Sequence, residues 1–305
     1  MTDSPPVVDD APPPAVMLYA PASEPAKAEK ACRLPTDAVI LDLEDAVAPA
    51  AKPAARAWCA GFLEARADGP PRWVRINDLA GSEWVDDVRA VTRPGLAGLI
   101  VPKVESAAQL ALLDGALEVM TAERGLPARQ VRVIATIESP LGLARAGSIA
   151  AASGRLATLG FGAGDMSRLA GLDYPTVEGG AVAVLDRARA ELVLACARAG
   201  LHAPHDSVYG RYADLDGLRR EATRARQMGF GGKHAVHPDQ LRPLTDCFAI
   251  SAAEADLAAR MVRAYDAAIA RGLGAVGVDG ILVDEPIARR ARRTLLAAGS
   301  DRADP

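Results

Sequence analysis

Lysine is scarce in this chain. It occurs five times, at 27, 30, 52, 103 and 233, and the other 30 of the 35 basic residues are arginine. With 39 acidic residues the net charge is −4, which argues against a protein that binds nucleic acid by broad phosphate neutralisation. Aromatic residues are only 4% of the chain. No apolar run approaches the roughly 18 residues of a membrane span, so no membrane association is expected. The four cysteines, Cys32, Cys59, Cys196 and Cys247, form no C-x-x-C pair. That excludes a zinc knuckle and a thioredoxin-type motif, and reduced, mostly buried thiols in a cytoplasmic protein are the expectation. The first 14 residues are acidic and proline-rich, without the basic start and apolar stretch of a signal peptide, and read as a disordered leader.

What the chain does have is alternation. Half of its 305 residues are hydrophobic and 24% are charged, an ordinary globular composition. Eight short runs rich in Val, Ile and Leu recur at 16–21, 38–44, 72–77, 98–105, 132–139, 157–165, 203–209 and 232–238. Longer Ala, Leu and Arg stretches with helical spacing separate them, starting near Ser23, Pro53, Ser82, Ser106, Leu143, Ala181 and Asp214. Ser82, Ser106 and Asp214 are candidate N-caps. Strands apolar on both faces and alternating with helices predict an α/β fold, a (β/α)₈ barrel over residues 15–250. The competitor is an open doubly wound sheet. The first strand, however, ends in Ala20-Pro-Ala-Ser23 rather than a glycine-rich phosphate loop. Residues 251–305 read as a C-terminal helical arm or lid. It comprises a long helix over 251–271 opened by the Ser251/Glu254 capping box, a glycine-rich hinge over 272–277, and a last helix over 286–298.

In such a barrel the chemistry sits at the C-terminal ends of the strands. Those ends carry Asp42-Leu-Glu44-Asp45, Arg75-Ile-Asn77, Pro102-Lys103-Val-Glu105, Glu138-Ser139, Gly164-Asp165 and His237-Pro238. Glu138 and Asp165 close neighbouring strands about 4.8 Å apart and could share a hard divalent cation, or each could cap a helix or pair with an arginine. Arg75 could stabilise an oxyanion or pair with the strand-2 carboxylates, and the two roles can coexist. Lys103 could form a Schiff base or pair with Glu105 or Glu138. His234 and His237 would face opposite sides of an extended strand. The run Gly160-Phe-Gly-Ala-Gly164 lacks the P-loop Lys and Ser/Thr and reads as backbone making room beside Asp165. The Arg289–Arg293 cluster reads as a solvated helix face.

Eight segments in order resemble the citrate lyase β-subunit-like family within the HpcH/HpaI aldolase and citrate lyase superfamily. They are Leu18-Tyr-Ala-Pro21, the 38–47 run, Val74-Arg-Ile-Asn77, Ile100-Val-Pro-Lys-Val-Glu105, Ala135-Thr-Ile-Glu138-Ser, Gly160-Phe-Gly-Ala-Gly-Asp165, Gly232-Lys-His-Ala-Val-His-Pro238 and Val283-Asp-Glu-Pro286. The resemblance spans residues 16–295. It implies a (β/α)₈ barrel, a Mg²⁺ site and a homotrimer or hexamer. By position it makes Glu138 and Asp165 the metal ligands, with Gly164 and Asp165 at the substrate. Arg75 is the residue that polarises the carbonyl or steadies an enolate. Glu44 and Asp45 hold metal-bound water, and Asp284 in the arm is the acid/base group, supplied to a neighbouring barrel. The implied reaction is reversible cleavage of a 3-hydroxyacyl-CoA, as by malyl-CoA or citramalyl-CoA lyases, into an acyl-CoA and an α-keto acid. Ala15 and Ala22 stand where family members commonly carry arginine and glycine. That departure keeps open a metal-dependent aldolase acting on free keto acids without CoA. An accessory subunit of a citrate-lyase-type complex is a third reading.

Overall fold

A computed structural model describes residues 11–65, 68–173 and 180–300. The expected leader falls largely on residues 1–10, outside the described residues. Eight parallel strands close into a barrel in the order β1 to β8. They are β1 (Val16–Pro21), β2 (Ala38–Asp42), β3 (Arg72–Arg75), β4 (Leu96–Val101), β5 (Arg132–Ile137), β6 (Leu156–Phe161), β7 (His205–Asp206) and β8 (Gly232–Ala235). Pairing of Met17 with His234 and of Leu18 with Ala235 joins β8 back to β1. The helices α1 (Pro25–Ala31), α2 (Lys52–Ala65), α3 (Glu83–Val91), α4 (Ala107–Glu123), α5 (Pro140–Ala144), α6 (Ala146–Ala150), α7 (Ala163–Leu169), α8 (Gly180–Ala199), α9 (Leu215–Met228) and α10 (Leu241–Phe248) follow the strands in turn.

Local chemistry sets several boundaries. Ser106 Oγ accepts from the Gln109 N–H in a capping box at α4, and Asp214 accepts from the Gly217 N–H at α9. Ser82 precedes α3 without a side-chain cap bond. Gly229, at φ 104°, ends α9 in the left-handed region, where a side chain would be strained. All four cysteines lie among the described residues and none is in a disulfide. No helix among the described residues is long and apolar enough to cross a membrane.

All of the observed strands but β1 stop short of the apolar runs. The polar residues at the ends of those runs therefore lie in the loops after the strands. Asp165 is the clearest case: it lies in the first turn of α7, one turn beyond β6. β7 is reduced to two residues.

The chain divides into two compact units between Phe248 and Ala249. The second contains α11 (Ala252–Ile269), the antiparallel pair β9 (Val276–Val278) and β10 (Ile281–Val283), and α12 (Glu285–Ser300). Ser251 and Glu254 form the capping box of α11. This unit has a core of its own, built from Ala258, Met261, Tyr265, Val283, Ala288 and Ala291. Its hairpin was not expected from the sequence. Asp279 and Gly280, both at positive φ, make the turn.

Period-two alternation sorts the barrel's side chains. Leu18, Val39, Leu41, Val74 and Leu99 belong to the large core between strands and helices. Met17, Ala38, Ile40, Trp73, Ile100 and Ile134 fill the lumen as a separate cluster. Gly98 makes room for Trp73: a Cβ there would lie 2.4 Å from Trp73 Cζ3 and 2.7 Å from the Arg132 carbonyl oxygen. Above this layer His205 Nδ1 and His234 Nε2 share a hydrogen bond of 3.2 Å, both rings buried. Burial, then Arg132 and His202, lowers the His205 pKa to about 3. Burial, then His205, Lys233 and Arg75, likewise pushes His234 well below its usual value.

Gly98→Ala should destabilise the fold by about 1–3 kcal/mol, because a backbone carbonyl and a packed indole cannot both yield. Thermal unfolding followed by circular dichroism would register this as a lower midpoint, and an unchanged midpoint would show that Trp73 has space to move. Both histidines are neutral in the fold and become protonated in the unfolded chain below pH 6.5. For His205 the unfolded state therefore binds more protons between about pH 3 and 6.5, His234 acts in the same direction, and stability should fall as pH drops below 6.5. Each ring should contribute up to about 1.4 kcal/mol per pH unit. Because Glu138, whose pKa is raised to about 7, opposes this slope over the same range, the comparison is with His205→Phe, whose unfolding midpoint should fall less than that of the wild type between pH 7 and 4.5.

Candidate active site

The C-terminal ends of the strands surround a cavity of about 700 Å³. Its most constrained charge is Arg75. Nε and Nη2 donate to Asp42 Oδ1 and Oδ2 at 2.7 and 2.6 Å, a two-point pairing that fits a planar guanidinium to a carboxylate. Nη1 lies 3.1 Å from Glu44 Oε2, and the guanidinium carbon sits 4.9 Å from the centre of the Tyr19 ring. Burial works against the Arg75 charge, but Tyr19, Asp42 and Glu44 outweigh it and raise its pKa. Asp42 also accepts the N–H groups of Glu44 and Ala46 at 3.0 and 3.2 Å. One buried carboxylate thus fixes both the arginine and the loop that carries Glu44 and Asp45.

Lys103 adopts φ 52° two residues beyond the end of β4. That turn sends its N–H to Glu138 Oε1 at 2.7 Å and its ammonium to Glu44 Oε1 at 2.6 Å, with Asp45 at 3.7 Å. The expected ion pairs with Glu105 or Glu138 are not the ones formed. Burial opposes the Lys103 charge, but Glu44, Asp45 and Glu138 raise its pKa above the ordinary lysine value. An ammonium held protonated in this way is a poor Schiff-base nucleophile, which counts against that expectation.

Glu138 and Asp165 both line the large cavity and an adjoining one of about 170 Å³. Glu138 is placed by Lys103 N–H and by Gly162, where an added Cβ would fall 2.4 Å from Glu138 Oε2. Within the glycine run it is Gly162 that makes room for Glu138, a neighbour the sequence reading did not assign to it. Burial, then the charges of Glu44 and Asp165, pushes the Glu138 pKa up to about 7, against the Lys103 N–H and Arg75. Asp165 Oδ1 accepts from Arg168 Nε at 3.1 Å. Gly164 and Asp45 line the large cavity as well. Asp284 belongs to the C-terminal unit, where its Oδ1 accepts the Ile287 N–H at 3.2 Å at the start of α12.

His234 and His237 do not face opposite sides. β8 ends at Ala235, His237 caps the turn that follows, and both residues line the cavity. Sequence reasoning assigned no role to Tyr19, Ser207, Lys27 or Lys30, all of which line the same cavity. Counting inward from Met17 by two would have found Tyr19. Nothing local marks Lys27 and Lys30, which come from α1.

The donors suit a hard cation. Glu138 and Asp165 offer carboxylate oxygens, and negative charge crowds around Glu138. Among the described residues no three His, Cys, Asp or Glu side chains converge to hold a metal unaided. A bound ion would therefore complete its shell from water or substrate.

The HpcH/HpaI aldolase/citrate lyase family model matches residues 15–238. The chain is 33% identical over 290 residues to the citrate lyase subunit beta of Haemophilus influenzae, covering 93% of this chain and 96% of the relative. It is 33% identical over 294 residues to the L-malyl-CoA/beta-methylmalyl-CoA lyase of Rhodobacter capsulatus, covering 90% and 91%. It is 35% identical over 289 residues to a (3S)-malyl-CoA thioesterase of Cereibacter sphaeroides, covering 92% and 93%. The solved structure of CitE from Mycobacterium tuberculosis in complex with magnesium, acetoacetate and coenzyme A superposes with a TM-score of 0.73 at 29% identity, covering 94% of this chain and 98% of that one. The matched barrel, and relatives aligned over nine-tenths of the length, place the chain in the HpcH/HpaI aldolase/citrate lyase family, as a lyase.

Proposed function

We propose that this chain is a Mg²⁺-dependent carbon–carbon lyase. It would cleave, or form, a 3-hydroxyacyl-CoA such as malyl-CoA or citramalyl-CoA, giving an acyl-CoA and an α-keto acid. The observation that carries the reading is the common cavity of Glu138, Asp165 and Arg75, two ligand carboxylates and one fixed cation. The M. tuberculosis neighbour, crystallised with magnesium, acetoacetate and coenzyme A, supports it.

Glu138 and Asp165 would hold the ion, and Mg²⁺ there would supply Lewis-acid polarisation of the substrate oxygens. The rest falls to the chain's own groups. Cleavage moves the 3-hydroxyl proton to a base and leaves the bonding electron pair on the acyl-CoA as an enolate. Arg75 is pre-oriented by Asp42 and needs no rearrangement to face that developing charge. Glu44 and Asp45, on the loop fixed by Asp42, would orient water at the ion. Lys27 and Lys30 on the cavity wall provide positive charge for the phosphates of CoA, which favours the thioester over a free keto acid. Asp284 is our candidate acid/base group, contributed by the C-terminal unit of a neighbouring copy in a trimer or hexamer.

Release of keto acid from a panel of 3-hydroxyacyl-CoA thioesters, with Mg²⁺ and with EDTA, tests the reading. Free CoA is followed in parallel to detect thioester hydrolysis. Magnesium-dependent release of glyoxylate, pyruvate or oxaloacetate without free CoA is expected. Free CoA with no keto acid would instead make the chain a thioesterase. Glu138→Gln and Asp165→Asn should each abolish the magnesium-dependent rate. Arg75→Lys, which cannot keep the two-point pairing, should lower kcat about 10²-fold or more with a smaller change in KM.

A further inference from the structure

A helix begins with N–H groups that have no partner inside the helix, and a side chain at the N-cap commonly accepts one of them. α7, which carries Asp165, cannot use that device. Its N-cap is Gly162, and a Cβ there would collide with Glu138, lying 2.4 Å from both its Cβ and its Oε2. Seating Glu138 therefore removes the local cap. The missing acceptor comes from the next strand of the barrel. Ser207, immediately after β7, accepts the Ala163 N–H on its Oγ at 3.0 Å, and it is only 5% exposed. Asp165 lies two residues further along, in the turn that this bond fixes.

Ser207 is itself anchored by charge. β7 has two residues, and its ladder joins only Gly160 to His205, and His205 and Asp206 to Gly232 and Lys233. Nothing in the ladder holds position 207. The buried Lys233 ammonium does so instead. It donates to the Ser207 carbonyl at 2.5 Å, to Asp206 Oδ2 at 2.6 Å and to Glu221 Oε1 at 2.7 Å. The path Lys233–Ser207–Ala163 runs from the barrel's outer layer to the start of the Asp165 helix.

We propose that Ser207 is a positioning residue. It caps α7 from across the barrel, in place of the cap that Glu138 excludes, and so sets Asp165 beside Glu138. The functional consequence rests on the reading of Glu138 and Asp165 as metal ligands. The cap itself does not.

Two measurements on the full chain separate these. Amide hydrogen exchange of metal-free protein over residues 161–169 reads the cap. Mn²⁺ titration by calorimetry or electron paramagnetic resonance reads the positioning. Ser207→Ala should speed exchange at the start of α7 about tenfold and weaken Mn²⁺ about tenfold or more. Ser207→Thr, which keeps the hydroxyl, should stay near wild type in both. Ser207→Cys conserves volume but offers only a weak acceptor, and should follow alanine, so a general packing defect in Ser207→Ala cannot mimic the result. Unchanged exchange in the alanine and cysteine variants would overturn the cap. Faster exchange with unchanged Mn²⁺ affinity would overturn the positioning role. A wild-type chain that binds no Mn²⁺ would overturn the metal reading, and the positioning role with it, while the exchange data would still decide the cap.

Discussion

A buried guanidinium has to be answered by carboxylates, and around Arg75 the answer organises the whole mouth of the barrel. Asp42 takes two of its N–H groups and also holds the backbone of the next loop. That loop brings Glu44 and Asp45 to Arg75 and to Lys103. The Lys103 turn in turn donates its N–H to Glu138. Each step is a short-range electrostatic demand, and together they carry position from β2 to β5. Among the groups joined by these contacts the result is unbalanced, with Lys27 and Lys30 on the cavity wall outside the network. Asp42, Glu44, Asp45, Glu138 and Asp165 face Arg75, Lys103 and the largely exposed Arg168. The surplus is felt most at Glu138, the carboxylate with burial on one side and Glu44 and Asp165 on the other. Positive charge would relieve that surplus more fully than a shared proton could, because a divalent ion can satisfy two carboxylates at once.

The same alternation that hides the apolar residues divides the polar ones into two systems. His205 and His234 turn into the lumen and stay neutral. Their neighbours Asp206 and Lys233 turn outward. There Arg189 Nε meets Asp206 Oδ1 at 2.8 Å, and the cations hold that carboxylate below its usual range against the effect of burial. A two-residue strand contributes few ladder bonds, so this outer charge cluster substitutes for them in keeping β7 in the sheet. Buried pairs of this kind add little net stability, but removing one partner leaves a stranded charge. They specify position more than they strengthen the fold.

Much of this was legible in the sequence. All eight strands fall within a few residues of where the apolar runs place them, because a strand buried on both faces cannot avoid showing itself in composition. Glu138, Asp165, Arg75, Glu44 and Asp45 were all expected at the strand ends, and the structure places them around the mouth of one cavity or in contact with its lining. What was not legible is what depends on where a strand stops. β8 ends before His237, which brings it to the same side as His234. Likewise, β6 ends before Asp165, which moves that residue into a helix. The two histidines were misplaced because period-two counting holds only while the backbone remains extended. Lys103 was misplaced for a related reason: a left-handed turn redirects its side chain to Glu44, and no residue-type signal marks a lysine at positive φ. Ser207 was invisible because its partner is 44 residues away.

The scarcity of lysine acquires a physical sense from these positions. Arg75 needs a flat fork, since Asp42 presents two oxygens in one plane. At position 233 the acceptors are Asp206, the carbonyl of the adjacent Ser207 and Glu221, three oxygens gathered from the end of β7 and from α9. A compact ammonium with three donors reaches all of them. A planar guanidinium, longer and directional, would have to choose. Lys103 serves both Glu44 and Asp45 from one nitrogen. In a chain whose basic residues are mostly arginine, lysine at these two buried or half-buried positions follows from the geometry of the acceptors, and replacing either by arginine preserves charge while losing the fit.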